Sequence, residues 1–194
     1  MTLTNEQRKQ LIDLYPYLQP RNLWTGKVSE DYDYSYIRGE HELPEGWDRL
    51  FLLYCKNLRP LLVEAKLLDK FMFSQLKEKY GRMCLYNFGC PKNSGADILT
   101  YLYESYSSQV CHVCGKIARY ESNGWIEPWC EDCISRCPYT YFKIYTRSQM
   151  GIETWNREKD CSESTYYSFR KLAREYKKCV QMTDEEFYNY IITV

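Results

Sequence analysis

Histidine is scarce in this sequence. His41 and His112 are the only two in 194 residues, which weakens any reading built on a histidine general base. No charge of one sign dominates: 26 basic and 26 acidic residues leave a formal charge of zero, whereas a general polyanion binder carries a clear basic excess. No apolar run approaches the roughly 20 residues that span a bilayer. The opening Met1-Thr2-Leu3-Thr4-Asn5-Glu6 has neither a basic start nor an apolar signal core, so the chain is expected to stay in the cytosol, away from any membrane. Phosphate-cradling glycine loops, internal repeats and low-complexity tracts are missing too.

Two residue types are abundant. Twenty tyrosines carry much of a 44% hydrophobic inventory. Each needs a partner for its hydroxyl, which predicts a modest core and a contact-rich surface. Of the ten cysteines, four sit in two close pairs and six are scattered, at 55, 84, 90, 137, 161 and 179. Scattered thiols without a signal sequence read as reduced cytosolic cysteines and not as a disulfide scaffold.

Local patterns give an element order. Thr4-Asn5-Glu6-Gln7 is a capping box opening a helix that Pro16 ends. The strict alternation of Asp31-Tyr32-Asp33-Tyr34-Ser35-Tyr36 predicts a strand with three tyrosines on one face. A second helix opens at Pro44-Glu45-Gly46, and Pro60 is expected to break it. Phe71–Leu76 and Met83–Phe88 read as a hairpin turning at Gly81. A helix over Ala96–Tyr106 leads into the paired cysteines. An amphipathic helix over residues 164–180 carries Tyr166, Phe169, Leu172, Tyr176 and Val180 on one stripe and Arg170, Arg174 and Lys178 on another. Thr183-Asp184-Glu185-Glu186 caps a short last helix. The class expected is α+β: a small antiparallel sheet packed with helices over residues 1–108, a zinc ribbon over 109–137, and a basic, aromatic, helical extension over 138–194.

The paired cysteines carry the most specific signal. Cys111-x2-Cys114-x15-Cys130-x2-Cys133 has the spacing of a four-thiolate structural zinc site. Gly115 gives the first knuckle its turn, and Asn123-Gly124 places a hairpin between the pairs. Alternate positions on one strand put Trp125 and Trp129 on a common face, expected to pack the ribbon on the main domain. Two disulfides are the competing reading, disfavoured by the reducing compartment. A catalytic zinc is disfavoured because four thiolates leave no position for water. His112 is expected to point outward, and Cys137 is the better substitute ligand. The zinc deaminase pattern fails on both halves: Trp129 separates Pro128 from Cys130, and His41 is followed by Glu42 and Leu43.

Two segments of opposite charge flank this site. Residues 134–181 hold ten Lys or Arg against five acids, and residues 28–48 hold seven acids against Arg38 alone. Basic residues interleaved with aromatics fit a nucleic acid, the phosphates meeting Arg and Lys and the bases stacking on rings. The alternatives are a solvated helix face, or pairing of the two segments within the fold. The acidic tyrosine segment, through Tyr32, Tyr34 and Tyr36, is the other candidate surface, for a basic partner. Lys77-Glu78-Lys79 is the one candidate catalytic run, for a metal-dependent nuclease or transferase using Lys77 and Glu78, and reads more simply as a solvated turn.

From Phe73 onward, with Gln75-x-Lys77-Glu78-Lys79-Tyr80-Gly81-x3-Leu85-Tyr86, then a helix, then Cys-x-x-Cys-Gly and Gly124-Trp125-Ile126-x-Pro128-Trp129-Cys130-x-x-Cys133, the chain resembles a family of small uncharacterised proteins from phages and bacterial mobile elements. Tyr15-Pro16 to Gly26 and Glu30-Asp31-Tyr32-Asp33-Tyr34-Ser35 extend the resemblance over residues 15–133. It implies the zinc site and brings no activity; its phage context implies, by association, an inhibitor of host defence of the anti-CRISPR kind. The functional expectation is a non-catalytic, zinc-stabilised binding protein. Its macromolecular partner would be a nucleic acid, a nucleoprotein effector or a protein, met through Arg170, Arg174 and Lys178. A purely structural adaptor is the third reading.

Overall fold

Short polar side chains start the helices. The computed structural model describes residues 1–144 and 162–193. Thr4 and Gln7 form the predicted capping box of α1 (Asn5–Leu14), and Thr183 and Glu186 form that of α5 (Asp184–Ile192). Ser94 caps α3 (Gly95–Ser107) and Ser162 caps α4 (Glu163–Gln181), each accepting from the backbone N–H three residues on.

The remaining helix, α2 (Asp48–Glu64), runs straight through Pro60, contrary to the expected break. Leu58 and Leu62 on either side of it are fully buried. Their packing outweighs the roughly 3 kcal/mol that an interior proline costs.

The strands form two small antiparallel sheets. β1 (Met72–Lys79) and β2 (Arg82–Phe88) pair in the predicted hairpin, Lys79 facing Arg82. Tyr80 and Gly81 both take positive φ, 52° and 69°, as a two-residue turn matched to the strand twist requires. In the second sheet β3 (Tyr120–Ser122) lies between β4 (Pro128–Trp129) and β5 (Tyr141–Lys143). The third strand was not anticipated, since residues 138 onward read as helical. The loop between β3 and β4 spans residues 123–127 and is longer than the two-residue turn expected at Asn123-Gly124. These helices and two sheets make the α+β fold that the sequence implies.

The alternating segment 31–36 is not a strand. The Asp33 carboxylate accepts the Ser35 N–H at 2.8 Å, closing an Asx turn, and Tyr34 sits in the left-handed region at φ 64°. A side chain that captures nearby backbone competes with a ladder.

One core joins elements from Leu3 to Ile191. Its centre is aromatic: Phe73 of β1 lies among the rings of Tyr17, Phe51, Tyr54 and Phe71 at centroid distances of 5.3–6.2 Å. Tyr15, Tyr17, Tyr54, Tyr103, Tyr106 and Tyr176 are fully buried, so the tyrosines build the interior that was expected to be modest. Backbone and hydroxyl partners make this affordable. Tyr17 donates to the Cys55 carbonyl at 2.7 Å, Tyr54 and the Thr100 hydroxyl lie 2.8 Å apart, and Tyr15 donates to the Ile191 carbonyl. Burial pushes the Tyr17 and Tyr103 hydroxyls far above the ordinary phenol range, which keeps them neutral donors.

Arg49 ties the C-terminal helices to α2. Its guanidinium donates to the Cys179 and Met182 carbonyls at 2.6 and 2.8 Å and meets the Asp184 carboxylate at 2.6 Å. It thus satisfies carbonyls at the end of α4 and holds the first turn of α5. No helix among the described residues is long and apolar enough to cross a membrane.

Candidate metal centre and partner-binding face

The chain leaves α3 through Val110 and enters the first knuckle. Gly115 donates its N–H to the Cys111 carbonyl at 3.0 Å, and Cys111 donates to the Lys116 carbonyl at 2.8 Å. Gly115 has φ 76°, the conformation that glycine adopts without cost. The second knuckle closes with the Cys133 and Ile134 N–H groups on the Cys130 carbonyl at 3.2 and 3.0 Å. β3 and β4 bring the two together, Arg119 N–H meeting the Trp129 carbonyl at 2.8 Å and His112 N–H the Pro128 carbonyl at 3.1 Å.

The four sulfurs of Cys111, Cys114, Cys130 and Cys133 lie within 4.8 Å of one another, with Cys114 and Cys130 at 3.5 Å. A tetrahedral ion with bonds of ~2.3 Å requires sulfur spacings of ~3.8 Å, so the set is positioned to bind a metal ion. Cys111, Cys130 and Cys133 are buried and Cys114 faces solvent. Burial pushes the Cys114 and Cys130 thiols up. For Cys133 burial acts the same way, but the Arg136 guanidinium 2.9 Å from its sulfur and the neighbouring thiols hold it below the ordinary thiol value. Arg136 was not singled out in the sequence; its position three residues after Cys133, in a 3-10 turn over Ile134–Arg136, is the signal. Lys116 and Asp132 bridge the knuckles at 2.6 Å on the exposed side, a contact of small worth in water.

His112 does not point outward. Its Nδ1 lies 3.0 Å from the Pro128 carbonyl, and its ring packs edge-on against Trp129 at 4.4 Å. Cys137 is not part of the sulfur cluster; its thiol lies 3.4 Å from the Tyr139 carbonyl.

The expectation for the tryptophans fails. Trp129 is 5% exposed but packs within the small cluster of the cysteines themselves, and Trp125 is 61% exposed in the β3–β4 loop. The knuckle is instead docked on the helical core by residues that spacing alone does not reveal. Gly46 donates its N–H to the His112 carbonyl at 2.9 Å, the Trp47 indole donates to the Val110 carbonyl at 2.9 Å, and the Tyr176 hydroxyl donates to the Gly115 carbonyl at 2.9 Å. A Cβ on Gly46 would lie 2.2 Å from the Cys111 carbonyl oxygen, so only glycine fits there.

Of the proposed contact residues, Arg174 and Lys178 are exposed on α4. They line a groove of about 660 Å³ together with Lys171. Arg170 is not part of it and sits 5.8 Å over the Tyr166 ring. Arg147, Arg157, Lys159 and Cys161 lie outside the described residues. Among the described residues three of the seven acids in segment 28–48 form ion pairs, none with the basic segment: Glu40 with Arg8 at 2.8 Å, Glu42 with Arg38 at 3.7 Å, and Asp48 with the Met1 amino group at 3.6 Å. Tyr32, Tyr34 and Tyr36 share no strand face. The Tyr32 and Tyr34 rings touch at 4.8 Å, Tyr32 partly packs on the core, and Tyr36 stacks on His41.

Lys77 and Glu78 serve the hairpin. The Glu78 carboxylate accepts the Gly81 N–H at 2.7 Å, and the Lys77 ammonium lies 5.1 Å over the Tyr86 ring. Among family models, curated proteins and solved structures, nothing matches this chain.

Proposed function

We propose that this chain is a zinc-stabilised binding protein, non-catalytic, that engages a macromolecular partner through the exposed basic face of α4. The observation that carries the reading is the closed sulfur set: four cysteines supply four corners, leaving no coordination position for water or substrate. Four thiolates at tetrahedral spacing select zinc or iron–sulfur, and zinc needs no further ligand or redox partner. The metal would hold two knuckles together and, through Gly46, Trp47 and Tyr176, brace the helical core that presents α4. Glu78 supports this reading as well, because its carboxylate is engaged at the hairpin turn.

The partner class follows from charge and context. A basic helix face on a chain of zero net charge suits a specific acidic surface better than any polyanion. The resemblance to phage and mobile-element proteins makes host-defence nucleoproteins the first partners to test. Immobilised protein should retain from host lysate a partner that a Lys171→Ala, Arg174→Ala, Lys178→Ala variant loses, read by mass spectrometry and nucleic-acid sequencing. Equal retention by both proteins would contradict the assignment. So would metal-dependent cleavage of nucleic acid that a Glu78→Ala change abolishes.

A further inference from the structure

Within that reading, the groove beside α4 narrows the partner to one chemistry. Leu61 of α2, Leu99 and Leu102 of α3 and Leu172 of α4 form its apolar floor. Lys171, Arg174 and Lys178, all exposed, stand on its rim at i, i+3 and i+7 of α4, neighbouring positions on one helix flank. The one acid in the lining, Glu175, is already engaged: it accepts from the Tyr190 hydroxyl at 2.8 Å and from the Asn57 amide at 3.2 Å. Among the described residues none of the three rim cations forms an ion pair. The rim therefore presents three cations against the single carboxylate of Glu175, an excess of positive charge over an apolar floor.

The shape decides between occupants. The lining follows α4 from Ser168 to Cys179, about 16 Å at 1.5 Å per residue. That is three helical turns, longer than a compact small ligand. A nucleic acid would meet the rim with phosphates, but the two rings in the lining are poor platforms for its bases: Tyr103 is buried, and the Lys56 ammonium lies 4.9 Å over the Tyr190 ring. An amphipathic helix lays apolar side chains at i, i+3, i+4 and i+7 into such a floor and its flanking carboxylates against such a rim. We infer that this groove docks an acidic amphipathic helix of a protein partner. This rests on the binding-protein reading above and selects its ligand.

The test uses the full chain and three probes. One is an acidic, helix-stapled peptide of about 15 residues with Leu at the i, i+3, i+4, i+7 positions. The second is a scrambled peptide of equal composition, and the third a single-stranded oligonucleotide of equal charge. Binding is read by anisotropy and by methyl NMR shifts. The patterned peptide should bind about tenfold more tightly than the scramble and shift the Leu61, Leu99 and Leu102 methyls. A Lys171→Glu, Arg174→Glu, Lys178→Glu variant should lose about tenfold with its melting temperature unchanged. A Leu99→Ser variant should weaken the patterned peptide alone. Equal binding of both peptides, methyl shifts elsewhere, or no saturable peptide binding would overturn the groove. If the oligonucleotide alone bound through the same three cations, the groove proposal would fall while the binding-protein reading stood. Failure of all three probes to bind, with no partner recovered from lysate, would sink both.

Discussion

The Tyr176 hydroxyl donates to the backbone carbonyl of Gly115 across 2.9 Å, joining a helix near the C-terminus to the turn of the first cysteine knuckle. Tyr176 is fully buried, its ring edge-on to Tyr106 at 5.6 Å. Tyr176→Phe keeps the packing and removes the donor. It should cost about 1–2 kcal/mol, since the carbonyl is left buried without its partner. Urea denaturation of both proteins checks this, and an unchanged midpoint would remove the hydrogen bond from the account.

Gly46 should tolerate no side chain. In Gly46→Ala the new methyl meets the Cys111 and His112 backbone, which cannot swing aside as a side chain could. A loss of about 1–3 kcal/mol is expected, with faster metal loss to a chelator than in the wild type. Chelator competition and thermal melting measured together separate a docking defect from a general one.

The two ribbon tryptophans should differ sharply. Trp129→Ala empties the small cluster around the cysteines and should cost about 3–5 kcal/mol. Trp125→Ala acts on a largely exposed ring and should stay within about 0.5 kcal/mol. Comparable losses from both would restore the common packing face that the sequence pattern suggests.

Glu104 gives a pH signature. Burial is the main influence on its carboxyl and pushes it above the ordinary carboxylate range, while the Leu85 N–H, donating at 2.7 Å, pulls the other way. A carboxyl raised on folding binds its proton more tightly in the native state. Its contribution is therefore full below the unfolded value and is lost as pH rises through the folded one. Glu104→Gln keeps an acceptor for Leu85 and has no proton to lose. The stability difference, variant minus wild type, should grow with pH from about 4.5 upward and then level off. A difference flat across that window would contradict the assignment.

Local chemistry made part of this structure legible. The capping boxes at Thr4 and Thr183, the Tyr80-Gly81 turn and the cysteine spacing are written within a few residues, and each is where the pattern places it. Segment 31–36 misleads because a period-two pattern says nothing of the Asp33 carboxylate that folds it into a turn. Pro60 misleads for the opposite reason, a local penalty overruled by burial of Leu58 and Leu62. The docking of the knuckle on Gly46, Trp47 and Tyr176 joins positions over 60 residues apart, beyond the reach of spacing arguments. The basic rim was only partly legible: the i, i+4, i+8 row selected Arg170, Arg174 and Lys178, whereas the groove gathers Lys171, Arg174 and Lys178. Which flank of a helix meets a groove depends on what packs beside it, here α2 and α3.

The central claim is a four-thiolate zinc clamp between the knuckles, and metal content tests it most directly. Protein purified under reducing conditions without added metal should carry one zinc per chain by elemental analysis. Titration with a mercurial should release that zinc as the four clustered thiols react, and Cys130→Ser should purify with little or none. Protein free of metal, iron–sulfur in place of zinc, or full zinc retention by Cys130→Ser would contradict the account.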